Sequence, residues 1–358
     1  MNLAVRPASL LEERKELLAL LDRNLPTFNM GAHFGWRHEG NPAGPGWCWV
    51  LYNRNSGALG GMTSVFPRPM YAGGRLLLCG QVGEFVVDST YRSLGPAVML
   101  QRATFEPVNS GDLAFCYDSP PHDKGMATFV RLDMSPNCMI VRYALLLQSD
   151  EFLRRRLGPG AWTRPVVAGT NFVLRMRRSG RSLPGVEICP FEGPFGEEFS
   201  VLDQSVSTAG VIRARRSAAD LNWRYMLNPL RTNLLPSGNV GGLRTLVARK
   251  GGQLVAFVIF YMQTNRRAVV VDAFGQNLSS VWDALLESVI NLCRRESMYC
   301  LYANSAEGSE LSGLLRRSGF RRRERAARLV AYEKSNGHAA SLLNSGLRWA
   351  FTEAECSL

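Results

Sequence analysis

Val86-Val87-Asp88-Ser89-Thr90-Tyr91-Arg92-Ser93-Leu94-Gly95-Pro96-Ala97 is the run from which the rest of this sequence is read. Val86 and Val87 close an extended apolar segment, and Pro96 and Ala97 open one of helical character, so the run predicts a tight strand-to-helix turn. Such a turn presents unpaired backbone N–H groups at the positive end of a helix dipole, a seat for phosphate or pyrophosphate. Gly95 allows close approach of an anion or an unusual backbone angle, Pro96 suits a first helical turn, and Ala97 keeps the next position small. Arg92 adds positive charge. On these residues alone, an ordinary strand-to-helix turn with a capping glycine stays open as well.

Outward from the turn, Arg75 to Val87 is the strand that feeds it and Pro96 to Glu106 the helix that leaves it. Upstream, Ser9 to Leu25 carries leucines at helical spacing behind a Ser9 cap with Glu12 three residues on. Trp47 to Tyr52 and Ala58 to Phe66 form a hairpin around Asn53-Arg54-Asn55-Ser56-Gly57. Downstream come a strand at Leu113 to Tyr117, a helix at Lys124 to Leu132 and a strand at Met139 to Leu147. This order predicts an α/β fold with helices on both faces of a mixed sheet. The stretch Gly158 to Pro194 is rich in Gly, Pro and Arg and marks a boundary. Beyond it the pattern returns: a helix at Glu197 to Val206, a hairpin from Leu243 to Ala248 and Leu254 to Met262, and a strand at Ala268 to Phe274. A helix at Val281 to Arg294, a strand at Tyr299 to Ala303, a helix at Ser309 to Arg317 and a strand at Ala327 to Tyr332 complete it. We therefore expect two copies of one fold: residues 1–150, a connecting 151–195, a second unit at 196–335, and a tail at 336–358 that docks on the body.

The run at Val86 to Ala97 resembles motif A of the GNAT superfamily of acyl-CoA N-acyltransferases: a strand ending in Val, a Tyr-Arg pair, then Arg-x-x-Gly-x-Gly/Ala, filled here by Arg92, Gly95 and Ala97. The resemblance covers roughly residues 1 to 147. It implies that acetyl-CoA or another acyl-CoA is the co-substrate. Its pantetheine arm would pair with the backbone of Phe85, Val86 and Val87, where this strand splays from Leu113 to Tyr117. Its pyrophosphate would sit on the N–H groups of Arg92, Ser93, Leu94, Gly95, Pro96 and Ala97. It also implies a carboxylate on the splayed strand as general base. Glu84 is the candidate, with a carboxyl expected to be raised by partial desolvation; a salt-bridged strand glutamate is the other reading of that residue. Tyr117 and Asp118 are candidates for acid or acceptor-binding roles. The acceptor would be an amine or a hydroxyl, on a small molecule or a sugar.

The second copy departs from this pattern. At the equivalent turn it reads Asp272-Ala273-Phe274-Gly275-Gln276-Asn277-Leu278-Ser279-Ser280, with no arginine and no Gly-x-Gly/Ala, so we expect a degenerate copy that keeps the fold without the cofactor seat. Leu221 to Pro229 (Leu-Asn-Trp-Arg-Tyr-Met-Leu-Asn-Pro) and His33-Phe34-Gly35-Trp36-Arg37 with Asn41-Pro42 pair a Trp-Arg with an Asn-Pro at corresponding places. Both resemble an element of tandem acyltransferases encoded with bacterial surface-polysaccharide genes, and Leu347 to Thr352 resembles that group too.

Composition bounds the rest. At 358 residues with 46% hydrophobic content the chain suits two domains, and no run approaches the ~20 apolar residues of a membrane span. Eight cysteines at irregular spacing and four histidines without a ligand-like pair predict reduced thiols, a cytoplasmic protein and no metal site. The net charge of +12 attracts anions of many kinds, but the arginine clusters (Arg154 to Arg156, Arg175 to Arg181, Arg213 to Arg216, Arg321 to Arg325) lack the aromatic interleaving of nucleic-acid binders. Direct acyl transfer from acyl-CoA leads. An aminoacyl-tRNA-dependent transferase of the same fold and a non-catalytic binding protein are the alternatives.

Overall fold

The computed structural model describes residues 2–25, 30–120, 122–150, 165–170, 183–229, 242–334 and 342–356. The arginine clusters at 154–156 and 175–181, and most of the expected connecting segment, lie outside these residues. The first half runs β1 (Leu3–Pro7), α1 (Arg14–Asn24), α2 (Met30–His38), β2 (Trp47–Asn53), β3 (Leu59–Ala72), β4 (Arg75–Val87), α3 (Leu94–Ala103), α4 (Glu106–Ser110), β5 (Cys116–Asp118), α5 (Asp123–Arg131) and β6 (Cys138–Leu146). The second runs β7 (Val186–Phe191), α6 (Glu197–Ser205), β8 (Val211–Ala214), α7 (Ala218–Leu221) with a π-helical turn at Asn222–Met226, β9 (Arg244–Lys250), β10 (Gln253–Met262), β11 (Arg267–Gly275), α8 (Leu278–Arg295), β12 (Cys300–Ala306), α9 (Glu310–Arg317) and β13 (Arg321–Tyr332), then β14 (Arg348–Trp349) and α10 (Glu353–Cys356).

The strands form a mixed 14-stranded sheet in the order β1-β2-β3-β4-β5-β13-β6-β12-β11-β10-β9-β7, with β8 and β14 attached beside the outer end of β3. This is the mixed α/β class expected from the sequence. Of its parallel contacts, β4 with β5 and β11 with β12 are each bridged by a helix, α3 or α8. The halves exchange strands at the centre: β6 lies between β13 and β12, and the end of β13 closes against β5 through Val330↔Asp118, Ala331↔Tyr117 and Tyr332↔Cys116.

Helices cover both faces. Leu17, Leu20 and Leu21 of α1 pack with Phe34, Val50, Met62 and Val86 on one face, while Trp49, Val65, Val82, Ala103, Leu113 and Cys116 fill the α3 side. The amphipathic spacing of α8 buries Val281, Trp282, Leu285, Leu286, Val289, Ile290 and Cys293 in the largest apolar cluster. Full burial of each such aliphatic side chain contributes about 2 kcal/mol. Met30–His38 carries two glycines, Gly31 and Gly35, that weaken it as a helix. Tertiary packing of Phe34 and Trp36, both buried, makes it helical.

Candidate functional site

The strand-to-helix turn is built as the sequence reads. β4 pairs with β5 only at Gly80↔Cys116 and Gln81↔Tyr117, so beyond Gln81 the two parallel strands part and Phe85 to Val87 keep a free edge on that side. Asp88 caps a short 3-10 turn at Ser89–Tyr91 by accepting from the Thr90 N–H, and its carboxylate holds Arg23 of α1 at 2.6 Å. The stretch of free amides is narrower than the whole run. The Arg92 N–H donates to Ser89 O, the Ala97 N–H to Ser93 O, and Pro96 has none. Ser93, Leu94 and Gly95 donate no backbone hydrogen bond among the described residues. Gly95 lies inside the first turn of α3 with no unusual backbone angle, and a Cβ there would meet nothing within 4 Å. Of the two roles expected for it, close approach is the one the geometry leaves. The Arg92 guanidinium reaches back to Asn24 Oδ1 at 3.2 Å and Val87 O at 3.4 Å, which ties the turn to α1.

Glu84 sits on a β-bulge. Met62 pairs with Val86 and Ser64 with Gly83, so Glu84 and Phe85 together oppose Thr63, and Glu84 takes the left-handed φ of +51°. A non-glycine residue held there is strained, a feature that concentrates at functional sites. The bulge turns its carboxylate to the α2 face. Its Oε2 meets His38 Nε2 at 2.7 Å and accepts from Ser64 Oγ at 3.2 Å, while Arg37 Nη1 stands 3.9 Å from Oε1. Burial pushes this carboxyl up, but the His38 hydrogen bond and the charges of His38, Arg37 and His33 outweigh it, and the net direction is down. This corrects the sequence expectation of a raised carboxyl: the sequence showed the strand position but not the cations that α2 brings to it.

Tyr117 and Asp118 face opposite ways, as neighbours on a strand do. Tyr117 is buried toward the second half, where Arg68 donates to its hydroxyl at 3.0 Å, and burial pushes its hydroxyl up to about 12. Around it the chain end forms a clasp. Arg68 donates to Ala354 O, Gln81 Nε2 to Glu355 O at 3.1 Å, and Arg216 to Glu355 Oε1 at 3.0 Å. Asp118, on the side of Cys116 and α3, has its carboxyl pushed up to about 7 by burial.

His38 is the site residue the sequence reading missed. Its spacing, one residue past the noted Trp36-Arg37, was the available signal. Trp36 and Trp223 stack at 4.8 Å between centroids and exchange hydrogen bonds, each indole N–H donating to the other's carbonyl at 2.8 and 3.0 Å. The two Trp-Arg segments thus meet across the molecule.

The turn of the second half is built otherwise. β11 and β12 pair from Arg267↔Cys300 to Val270↔Ala303 and then part. The gap holds the chain's own tail: the Ala306 N–H donates to Phe351 O, and Ser305 bridges Thr352. Asp272, on a matching bulge in β11, is locked by Arg216 through contacts of 2.9 to 3.1 Å.

Among the described residues no helix is long and apolar enough to cross a membrane, and no three His, Cys, Asp or Glu side chains gather as metal ligands would. No family model matches the chain, and no curated protein does. Solved structures do. A probable N-acyltransferase of unknown function from Enterococcus faecalis is similar at TM-score 0.66 and 10% identity over 92% of this chain and 72% of its own. A GCN5-related N-acetyltransferase from Anabaena variabilis is similar at 0.64 and 13%, with the same coverage of 92% and 72%. The N-myristoyltransferase of Saccharomyces cerevisiae, solved with bound myristoyl-CoA, is similar at 0.53 and 12% over 100% of this chain and 86% of its own. What the chain shares with these proteins is the fold of the GCN5-related N-acetyltransferases.

Proposed function

We propose that this protein is an acyl-CoA-dependent acyltransferase acting on an amine, with residues 1–150 as the acyl-CoA half and 196–335 as a partner half that lends acceptor-binding surface. The observation that carries the reading is the wedge between β4 and β5 opening onto three unpaired amides at Ser93, Leu94 and Gly95. In this reading the pantetheine arm runs along the free edge of Phe85, Val86 and Val87. The pyrophosphate rests on those amides at the positive end of α3, with Arg92, Pro96 and Ala97 shaping the approach. The fold's occurrence in an enzyme solved with myristoyl-CoA supports the same co-substrate here. We place the activity in the cytoplasm, in keeping with free thiols such as Cys48, Cys79 and Cys116.

The chemistry follows from the bulge. The amine nitrogen attacks the thioester carbon, the C–S bond breaks, the nitrogen's proton passes to Glu84, and the thiolate leaves and takes a proton from water. Glu84 is ionised through the neutral range, hence free to accept at Oε1, while His38 Nε2 holds Oε2 at 2.7 Å. Asp118, on the α3 side of the sheet with its carboxyl pushed up to about 7 by burial, takes no part in this step. Tyr117, held by Arg68, anchors the wedge where β4 and β5 meet.

Calorimetry with acetyl-CoA tests the reading. Wild type is expected to bind, and Gly95→Glu to lose binding with an unchanged melting temperature, since that side chain has open space. Equal affinity in both proteins would remove the phosphate seat. Absence of acetyl-CoA binding together with salt-dependent retention on tRNA would move the activity to an aminoacyl-tRNA-dependent transfer.

A further inference from the structure

The Arg37 guanidinium is buried without a hydrogen-bond acceptor. Its side chain is 4% exposed, it donates no hydrogen bond among the described residues, and its Nε is enclosed and unpartnered. Its contacts are the 3.9 Å approach to Glu84 Oε1 and a stack 3.9 Å over the Phe66 ring. It also lies against the β4 backbone at Gly83, where a Cβ would stand 2.7 Å from Nη2. An enclosed Nε–H without an acceptor is costly, and buried polar groups in native proteins have partners. Glu84 Oε1 and His38 Nδ1, beside it, are likewise buried and unpartnered.

The second half shows what completes such an arginine. Arg224 occupies the same place in the other Trp-Arg segment, is also buried, and donates to the main-chain carbonyl of Ala354, so the chain's own end supplies the acceptor. No described segment does this for Arg37. In one half the tail fills the position, and in the other no described residue does.

Resting on the acyl-transfer reading of this site, we propose that the acceptor amine carries a carboxylate, which Arg37 binds through its fork of N–H donors while the ammonium group of the same molecule meets Glu84 Oε1. The match is one of geometry, because a planar guanidinium pairs a carboxylate through two parallel hydrogen bonds. It is also one of charge, because an acid and a base of the protein 3.9 Å apart are each left with an open valence for a zwitterion's two ends. A neutral amine or sugar would satisfy Glu84 and leave Arg37 bare.

The test is thermal shift on the full chain with a panel of small amino carboxylates, each paired with its carboxamide, with and without coenzyme A. At least one carboxylate is expected to raise the melting temperature, its carboxamide to need at least tenfold higher concentration, and Arg37→Gln to abolish the difference while acetyl-CoA affinity stays unchanged. Arg37→Lys, which keeps the charge and loses the fork, is expected to retain part of the response. Carboxamides that stabilise as well as carboxylates, a panel without any response, or a response that survives in Arg37→Gln would each overturn the proposal. Failure of the acyl-transfer reading looks different: no acetyl-CoA affinity, with the carboxylate response intact.

Discussion

The wedge after β4 and the wedge after β11 stand at the same place in the two halves, and they differ in what fills them. The first parts beyond Gln81 and leaves three amides of α3 unpaired. The second parts beyond Val270 and is stopped by Phe351 and Thr352, with its bulge acid Asp272 gripped by Arg216. The same bulge serves both, with an acidic residue on each. The difference teaches that a splayed pair of parallel strands is a structural liability until something occupies it. In the second half the chain occupies it with itself and gains an anchor between halves. In the first the opening is kept, with a strained Glu84 and an acceptor-poor Arg37 at its foot.

The largest effects should come from substitutions that tell the two turns apart. Gly95→Glu puts a negative charge on the open seat, and acetyl-CoA affinity should fall at least about 100-fold by calorimetry, the order expected when a helix-terminal anion site is inverted in charge. The matching change in the other turn, Ser279→Glu, should leave that affinity within error; an equal loss there would mean that both turns bind. The bulge acids separate next. Glu84→Gln should lower kcat by roughly 10²- to 10³-fold with acetyl-CoA affinity retained, in the range of general-base removal. Asp272→Asn strips the buried Arg216 of its main partner and should cost about 3 kcal/mol in urea unfolding. An Asp272→Asn protein of unchanged stability would break the division between a chemical and an architectural acid.

A smaller effect concerns Asp118. Its carboxyl is raised in the folded state to about 7, so its contribution to stability is full below the unfolded value of about 4 and is lost as pH rises through about 7. Asp118→Asn should therefore flatten the fall in melting temperature across that window and make the variant the more stable protein at pH 8. If the two melting curves run parallel from pH 4 to 8, burial does not raise the Asp118 carboxyl. The smallest effect is expected from Ser279→Glu on stability, a gain of about 0.5 kcal/mol from a carboxylate in the first turn of α8.

Much of the fold was legible because it rests on local order. Arg75–Val87 and the helix after it followed from an apolar run, a turn and a helix-forming stretch, and α8 from spacing along one face. β1, β7 and β8 were not, being short strands that hold only through partners distant in sequence. The turn was legible as a pattern, Arg92 to Ala97, but not which amides remain free, since that depends on where Ser89 O and Ser93 O find donors. Glu84 was legible as a strand acid, and its environment was not. His38, Arg37 and Ser64 reach it from α2 and β3, elements whose side chains converge only once Phe34 and Trp36 are buried.

The sequence by itself determined the mixed α/β class, the place of the turn and the asymmetry between the two halves, because strand and helix periodicity and turn chemistry act over a few residues. Only the tertiary structure decided which wedge stays open, where the chain end docks, and which buried charges are paired. Those outcomes depend on long-range contacts, such as Thr352 with Asp272 or Trp36 with Trp223, that carry no mark in local sequence.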